Sequence, residues 1–417
     1  MPAPFFLKTR TGLISNQLGL LTSICLITTA SQTLAHESQP DKSGLSSSLA
    51  LAASSRSQNQ LSDDDIASKT VWQIPGVLMG GHASAYEQGT SLDEMSLRIM
   101  YLADGGSYGA IKLGSHDGSE LSLENAYIGQ QWQWHDIPLH AEAGEMFAFF
   151  SPHNHVHPST EDFSLAPLGF TALFGGHVQD SGLRIAAGDA DKGLSAGLES
   201  YKGSAFPSAS SGGLHAVYLR HAHQGFNLDW QLQGWALMAH ADNRQDDRSA
   251  SSGHSHSTST TTAFDGYFDG DTQAIGLFAA TGWTFGYHRR LSLTAEYLQM
   301  QVDGDVRDAD GTQSIEMDSD YRSILLEPRL VFGKHSLSLR YETLSLTNRL
   351  TGSAVASLGE EAGLINNGHN PQRLSSAWNW QYNDKLRLRL EWMKDKANPD
   401  RQPNLLTAGV VWQTTLM

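Results

Sequence analysis

Histidine is the residue type through which this chain is best equipped to do chemistry. The sequence contains 18 histidines, and the neutral imidazole ring is the commonest metal ligand in proteins. Three of them, His153, His155 and His157, alternate between two prolines, and Asp162 follows. Residues two apart in an extended segment share a face. We therefore expect the three imidazoles to converge on one divalent cation, with zinc the leading candidate. Asp162 and Glu161 are nearby oxygen donors that could complete the site. A solvated loop with incidental histidines is the alternative.

Two further groups of histidines follow later in the chain. His254 and His256 lie in a Ser/Thr-rich stretch, and short tracts of this kind bind metals weakly, because ordering a flexible loop costs entropy. His221 and His223, with His215, alternate along one predicted strand. Ordinary polar residues of a strand explain these three histidines better than a metal site does. We therefore expect His254 and His256 to form a second, weaker metal site.

The rest of the composition excludes several classes of function. Cys25 is the only cysteine, so thiolate metal sites and cysteine nucleophiles are not expected in the mature chain. A formal net charge of −16 repels phosphate backbones and argues against nucleic acid as a partner. No nucleophile-elbow, phosphate-loop or zinc-protease motif is present. We expect no enzymatic activity and no cofactor besides a zinc ion, bound or transported. A phospholipase or protease triad assembled from distant residues is the enzymatic alternative.

The start of the chain has the parts of a secretory signal peptide over residues 1–35. A positively charged beginning precedes an apolar stretch over 18–30, and Thr-Leu-Ala at 33–35 is a small-x-small cleavage site. This predicts Sec-dependent export. Residues 36–70 are rich in serine and aspartate, and this composition predicts a disordered linker, since it cannot bury a core.

Residues 71–417 are dominated by segments in which apolar and polar residues alternate. The clearest are 291–297, 337–342 and 386–392, where each strand would have one apolar and one polar face. Many such segments run about 9–12 residues, the length of a tilted strand that crosses a membrane. The pattern predicts an all-β fold, a single transmembrane antiparallel β-barrel of the outer-membrane type, with about 16 strands and a range of roughly 12–18.

Turns and aromatic residues agree with a barrel. Short turn motifs lie at 104–106, 117–118, 333–334 and 383–384, and long loops are predicted at 149–176, 244–272, 304–319 and 349–370. Acidic runs within two of these loops lack the ligand spacing of a calcium site and are predicted to be solvated. Interfacial girdles are expected from aromatic residues near strand ends: Tyr86, Tyr101, Trp132, Trp134, Trp230, Trp283, Trp378, Trp380, Tyr382, Trp392 and Trp412.

A soluble β-sandwich would show the same alternation. The export signal, the strand lengths and the unequal loops favour the barrel. In a barrel, charged residues on the polar face line an aqueous lumen; in a sandwich they would lie on the exterior. The charged residues on the polar faces of the predicted strands include Arg98, Arg340, Glu342, Arg387, Arg389 and Glu391.

Segment 123–185 resembles a porin-like outer-membrane family often labelled zinc-regulated outer-membrane protein or receptor. The matching positions are Gly144, Phe147, Asn154, His155, His157, Asp162, Phe163, Gly175 and Gly176. The resemblance implies a barrel linked to zinc or another divalent cation. An energy-coupled receptor needs a plug domain and about 22 strands, which the residues ahead of the predicted strands cannot supply. A plugless channel is therefore the consistent form.

These observations predict an outer-membrane channel, embedded in the lipid bilayer, that takes up or binds zinc or another divalent cation through His-rich extracellular loops. The alternatives are a general or anion-selective porin for small solutes, and a structural outer-membrane protein without a metal role. Assembly into a homo-oligomer is compatible with each of these.

Overall fold

Sixteen antiparallel strands form one closed barrel, in which each strand pairs with its sequence neighbours and the first pairs with the last. This computed structural model describes residues 43–68, 71–116, 121–246, 248, 264–286 and 288–416. The predicted signal peptide, His254 and His256 lie outside the described residues. The structure confirms the predicted fold class and strand number.

The first eight strands are Gly44–Arg56 (β1), Gly89–Leu102 (β2), Ser107–His116 (β3), Ser122–Trp134 (β4), Ile137–Phe147 (β5), Gln179–Ala187 (β6), Gly193–Tyr201 (β7) and Leu214–Gln224 (β8). The other eight are Leu228–Arg244 (β9), Gly266–Thr284 (β10), Arg289–Asp308 (β11), Ser314–Phe332 (β12), His335–Thr351 (β13), Gln372–Gln381 (β14), Leu386–Lys396 (β15) and Asn404–Thr415 (β16). Short helices are Asp63–Ser68 (α1), Leu168–Phe174 (α2) and Val355–Glu361 (α3), with a 3-10 turn at Pro152–His155. No helix among the described residues is long and apolar enough to cross a membrane.

Side chains alternate between the two faces of the barrel wall except where β-bulges interrupt the register. On β8, each buried inward residue is followed by an exposed outward one for most of the strand. Around the middle of the strands the outward residues include many apolar ones, such as Ile185, Leu198 and Val217, which are neighbours across three strands. An exposed apolar belt of this kind is stable only where lipid replaces water.

The two ends of the barrel differ in the length of their connections. All connections at one end have two to five residues, whereas the other end carries 57–88, 148–178, 202–213, 245–265 and 352–371. Short turns face the periplasm and long loops the exterior in outer-membrane barrels. The long connections therefore begin at the extracellular end.

The predicted linker over 36–70 does not hold for residues 44–56, which form β1 and close the barrel against β16. Leu45, Leu49 and Leu51 lie on the same face of this strand, and small serines and alanines alternate with them. The serine-rich composition concealed this period of two. The barrel therefore starts at residue 44 and not at 71.

The long loop predicted over 304–319 is also wrong, because β11 continues to Asp308 and β12 begins at Ser314. Asp303 and Asp318 are direct cross-strand neighbours on the outward face. Acidic residues are tolerated there because these strands extend beyond the apolar belt. Tyr86, predicted in a girdle, instead lies inside the barrel and packs with Met393 and Leu405.

Two long connections, 57–88 and 148–178, fold back into the barrel and form an apolar core. Trp72 and Ile74 of the first, and Phe150 of the second, are almost fully buried. They pack with inward side chains of β8 to β13, and the ring centroids of Phe150 and Trp235 lie 4.8 Å apart. Part of the lumen is therefore filled by protein.

Candidate functional site

Residues 148–178, called the lumen loop from here on, cross the interior of the barrel. The loop leaves β5 and returns at β6, yet it contacts distant strands. His153 Nδ1 lies 2.7 Å from a carboxylate oxygen of Glu296 on β11. The backbone N–H of Ser159 donates to Glu94 Oε2 on β2 across 2.8 Å. The lumen loop therefore narrows the path through the barrel.

Asn154 ties the two ends of the lumen loop together. Its side chain is fully buried. Nδ2 donates to the carbonyl oxygens of Ala148 and Val178 across 2.7 and 2.9 Å, and Oδ1 accepts from the N–H of Val178 across 2.7 Å. The Val178 carbonyl also accepts from the Ala148 N–H across 2.9 Å. The Asn154 amide therefore supplies the partners of the Ala148 carbonyl and the Val178 N–H, which the end of the β5–β6 ladder leaves unpaired.

The three histidines and Asp162, predicted to share one ion, do not converge. Pro152–His155 forms a 3-10 turn, so the residues are not extended and alternate positions do not share a face. His153 is bonded to Glu296, and the His155 ring packs edge-on against Phe149 at 5.1 Å. Of the four, His157 alone belongs to a group of three possible metal ligands within the described part of the chain.

Asp162 anchors the lumen loop to the opposite wall. Its Oδ2 accepts from Arg329 Nε across 2.7 Å and from the hydroxyl of Ser338, and Arg387 lies 3.9 Å from Oδ1. Burial alone raises the pKa of the Asp162 carboxyl, but the two guanidinium groups and the Ser338 hydroxyl bring this pKa below its usual value. The carboxylate is therefore charged, and arginine and serine side chains already bind it.

His157 lies instead with His116 and Glu124, residues that the sequence reading did not select. The ligand atoms of these three side chains all lie within 4.8 Å of one another. His116 Nε2 is 2.8 Å from Glu124 Oε1, and the rings of His116 and His157 stack with centroids 5.6 Å apart. The structure thus brings together two imidazoles and one carboxylate, a donor set typical of zinc sites.

A β-bulge aims Glu124 into the barrel. Lys112 pairs with Asn125 and Leu113 pairs with Leu123, so Glu124 is an extra residue in β4. Glu124 and Asn125 are consecutive and both buried, which regular alternation would not allow. Re-aiming one side chain is the usual effect of a bulge.

The Lys112 ammonium lies between the carboxylate and His157. Its Nζ is 2.7 Å from Glu124 Oε2 and 3.0 Å from His157 Nε2. An ammonium has donors only, so His157 Nε2 accepts a hydrogen bond and its ring is neutral. Burial and then Lys112 hold the pKa of His157 well below its ordinary value.

His177 flanks the same cluster from the far end of the lumen loop. Its ring stacks on that of His157 with centroids 5.1 Å apart, and its Nδ1 donates to the Asn154 carbonyl across 2.9 Å. Burial and then His116 lower the pKa of His177 to about 4. The neutral ring therefore presents Nε2 as an acceptor.

Sequence reasoning selected His157 but missed its partners. His116 lies four residues after Lys112, so both belong to one face of the predicted strand, and this period was a usable signal. The bulge at Glu124 has no comparable signature. The approach of residue 157 to the β3–β4 hairpin depends on the whole course of the lumen loop.

A second charged region lies on the inner wall of β12 to β15. Arg340 Nε donates to Glu327 across 2.6 Å, and Arg389 Nε lies 2.8 Å from Glu391. As predicted, the charged residues of this polar face point inward. Each of these two guanidinium groups is matched by a carboxylate at contact distance.

Matches to known proteins were found among solved structures. No protein-family model matches the sequence, and no curated protein matches it. Among solved structures, a loop-L8 deletion mutant of OmpT, an outer-membrane protein of Vibrio cholerae, matches with a TM-score of 0.53 and 12% identity over 89% of this chain and 99% of that one. OprB of Pseudomonas putida matches with a TM-score of 0.49 and 12% identity over 89% and 94%. An anion-selective porin from Comamonas acidovorans matches with a TM-score of 0.48 and 11% identity over 89% and 100%.

The first of these likenesses shows that the chain has the fold of an outer-membrane β-barrel. It accounts for the apolar outward belt, which faces lipid. Identities near one residue in eight do not carry function from one barrel to another.

Proposed function

We propose that this protein is a narrow, porin-like channel of the outer membrane through which small hydrophilic solutes and divalent cations, zinc among them, diffuse. One observation carries the proposal: the lumen loop lies inside a closed barrel and leaves ionisable groups of loop and wall facing each other. A fold of this kind needs no catalytic step.

The inner wall supports conduction. Charged and hydroxyl side chains alternate with lipid-facing leucines along β13 and β15. Moving a single charged group into a dry interior costs several kcal/mol. Because the barrel encloses many charged side chains, we infer that its lumen contains water. A polar interior is typical of outer-membrane channels.

Several observations favour cations. The two guanidinium groups of Arg340 and Arg389 already have carboxylate partners, and the chain carries a formal charge of −16. Asp271, Asp303 and Asp318 are adjacent across β10, β11 and β12, on the outward face near the extracellular end. Arg349 lies 2.6 Å from Asp318, and His240 lies 2.8 Å from Asp271, so this cluster of three acids keeps a net negative charge. Negative potential at a channel mouth raises the local concentration of cations. The resemblance of segment 123–185 to a zinc-linked family supports the same solute class.

A general or anion-selective porin is the second candidate, and the arginines of the inner wall favour it. Arg329 and Arg387 both face the carboxylate of Asp162. Guanidinium groups on the inner wall of a channel would attract anions.

Single-channel recording in planar bilayers separates the candidates. We expect the purified, folded protein to form discrete conductance steps, and a KCl gradient to give the reversal potential of a cation-selective pore. Added ZnCl2 should shift that potential further. Anion selectivity would favour the second candidate, and an absence of conductance steps would leave only a structural role.

A matched variant tests the origin of the selectivity. Changing Asp271, Asp303 and Asp318 to Asn should weaken cation selectivity at low salt and have little effect in 1 M KCl, where the Debye length is only about 3 Å. An equal loss of cation selectivity at low and at high salt would contradict the idea that the selectivity arises from long-range electrostatic potential.

A further inference from the structure

We propose that His116, Glu124 and His157 form a binding site for a transition-metal dication of the zinc class, and that the Lys112 ammonium competes with the dication for two of these ligands. The inference deepens the proposed function by assigning a place in the lumen where a cation is held. It depends on the fold alone and can be tested without transport.

The donor set suits zinc. Two imidazole nitrogens and one carboxylate oxygen are among its ordinary ligands, at about 2.0–2.2 Å from the metal. Tetrahedral ligands at such distances lie roughly 3.3 Å from one another, whereas the three ligand atoms here lie within 4.8 Å. Side-chain rotations that draw them together by about 1.5 Å complete the geometry, with the fourth position left to water.

The surroundings hold these ligands in place before any ion arrives. The β-bulge directs Glu124 inward, and the His157 carbonyl accepts hydrogen bonds from the N–H groups of Thr160 and Glu161 across 3.0 and 3.1 Å. Asn154 and Asp162 fix the lumen loop on either side of His157. When the ligand side chains are already held in place, metal binding loses less free energy to the entropy cost of ordering them.

Lys112 sets the affinity. Its Nζ is within hydrogen-bond distance of both Glu124 Oε2 and His157 Nε2, two atoms that are able to bind a dication. An incoming dication must displace the ammonium and withstand its repulsion at short range. The Phe147 ring, whose centroid lies 5.7 Å from Nζ, offers the displaced ammonium a favourable face. The expected result is weak, reversible binding, which suits a conduction path.

The experiment measures metal binding by the full-length protein, folded in detergent, with Co2+ as the optical probe and Zn2+ as the competitor. We expect one Co2+ per chain with the intense visible absorption of a four-coordinate site, removed by Zn2+. The H157A and E124Q variants should lose this absorption. K112M should bind Co2+ about tenfold more tightly, since a nearby positive charge is gone.

Controls separate the site from adventitious binding and from misfolding. The H223A variant removes an exposed histidine of β8 and should leave the titration unchanged. Heat-modifiable migration on gels shows that each variant is a folded barrel. Equal Co2+ binding by wild type and H157A would overturn the site, and an unchanged or weaker affinity in K112M would overturn the competition.

The metal-binding experiment and the conductance experiment can fail independently of each other. A cation-selective pore without the Co2+ absorption would remove the site and keep the channel. A Co2+-binding barrel without conductance would keep the site and remove the channel.

Discussion

Arg329 on β12 donates a hydrogen bond from Nε to Oδ2 of Asp162 across 2.7 Å. This bond joins the middle of the lumen loop to a part of the barrel wall that is distant from β5 and β6, the two strands that the loop connects. The carboxylate is buried, and the guanidinium side chain is only 16% exposed. Low exposure makes this ion pair resistant to screening by salt. The pair therefore holds the loop across the lumen.

The Asp162→Asn variant should release that anchor. Removing one partner of a buried ion pair costs about 3–5 kcal/mol, because the remaining charge is left uncompensated. We expect a lower thermal midpoint, and larger, noisier single-channel conductance as the lumen loop leaves the wall. Asp400→Asn, at an exposed position between β15 and β16, is the control and should change neither. Equal behaviour of the two variants would show that Asp162 is not an anchor.

The Asn154→Ala variant should open the base of the lumen loop. The Ala148 carbonyl and the Val178 N–H lose their partner, whereas the Val178 carbonyl keeps the N–H of Ala148. Each unsatisfied buried group costs about 1–3 kcal/mol. Limited proteolysis followed by mass spectrometry should show cleavage within 148–178 in this variant and not in wild type. Asn227→Ala, in an exposed turn, should be as resistant as wild type. Protection of 148–178 in both variants would be inconsistent with the clamp.

The bond between His153 and Glu296 should stabilise the barrel in a pH-dependent manner. Burial lowers the pKa of His153, but the Glu296 carboxylate outweighs burial and raises this pKa above its ordinary value of 6.5. A raised folded-state pKa means stability that is fully present below about pH 6.5 and lost as pH rises through the raised pKa. The loss of thermal midpoint in His153→Gln should therefore be largest at pH 5 and shrink by pH 9. A difference that is constant over this range would refute the charged pair.

The Leu198→Arg variant should test the lipid belt. Leu198 is 63% exposed on the outward face and lies between Ile185 and Val217. Arginine at the middle of the bilayer costs a barrel about 2–4 kcal/mol, which urea unfolding in lipid vesicles can measure. Gln273→Arg, on the outward face of β10 beside Asp271 and Asp303, is the control and should cost little. Comparable costs at both positions would contradict the placement of the belt.

Most of the fold was predictable from local pattern. The alternation over 291–297, 337–342 and 386–392 requires only that successive side chains point to opposite faces, which holds for any strand irrespective of its partners. Failures occurred where composition hid the pattern, as with the small residues of β1, or where polarity was taken for a loop, as at 304–319.

By itself, the sequence determined the class of the protein: a chain of amphipathic strands, acidic overall, and rich in histidine. Only the tertiary structure decided which groups meet. His157 reaches His116 and Glu124 because the lumen loop crosses the barrel and a bulge turns one carboxylate inward. Such contacts join residues tens of positions apart, and they follow from loop packing and strand register, which no local period encodes.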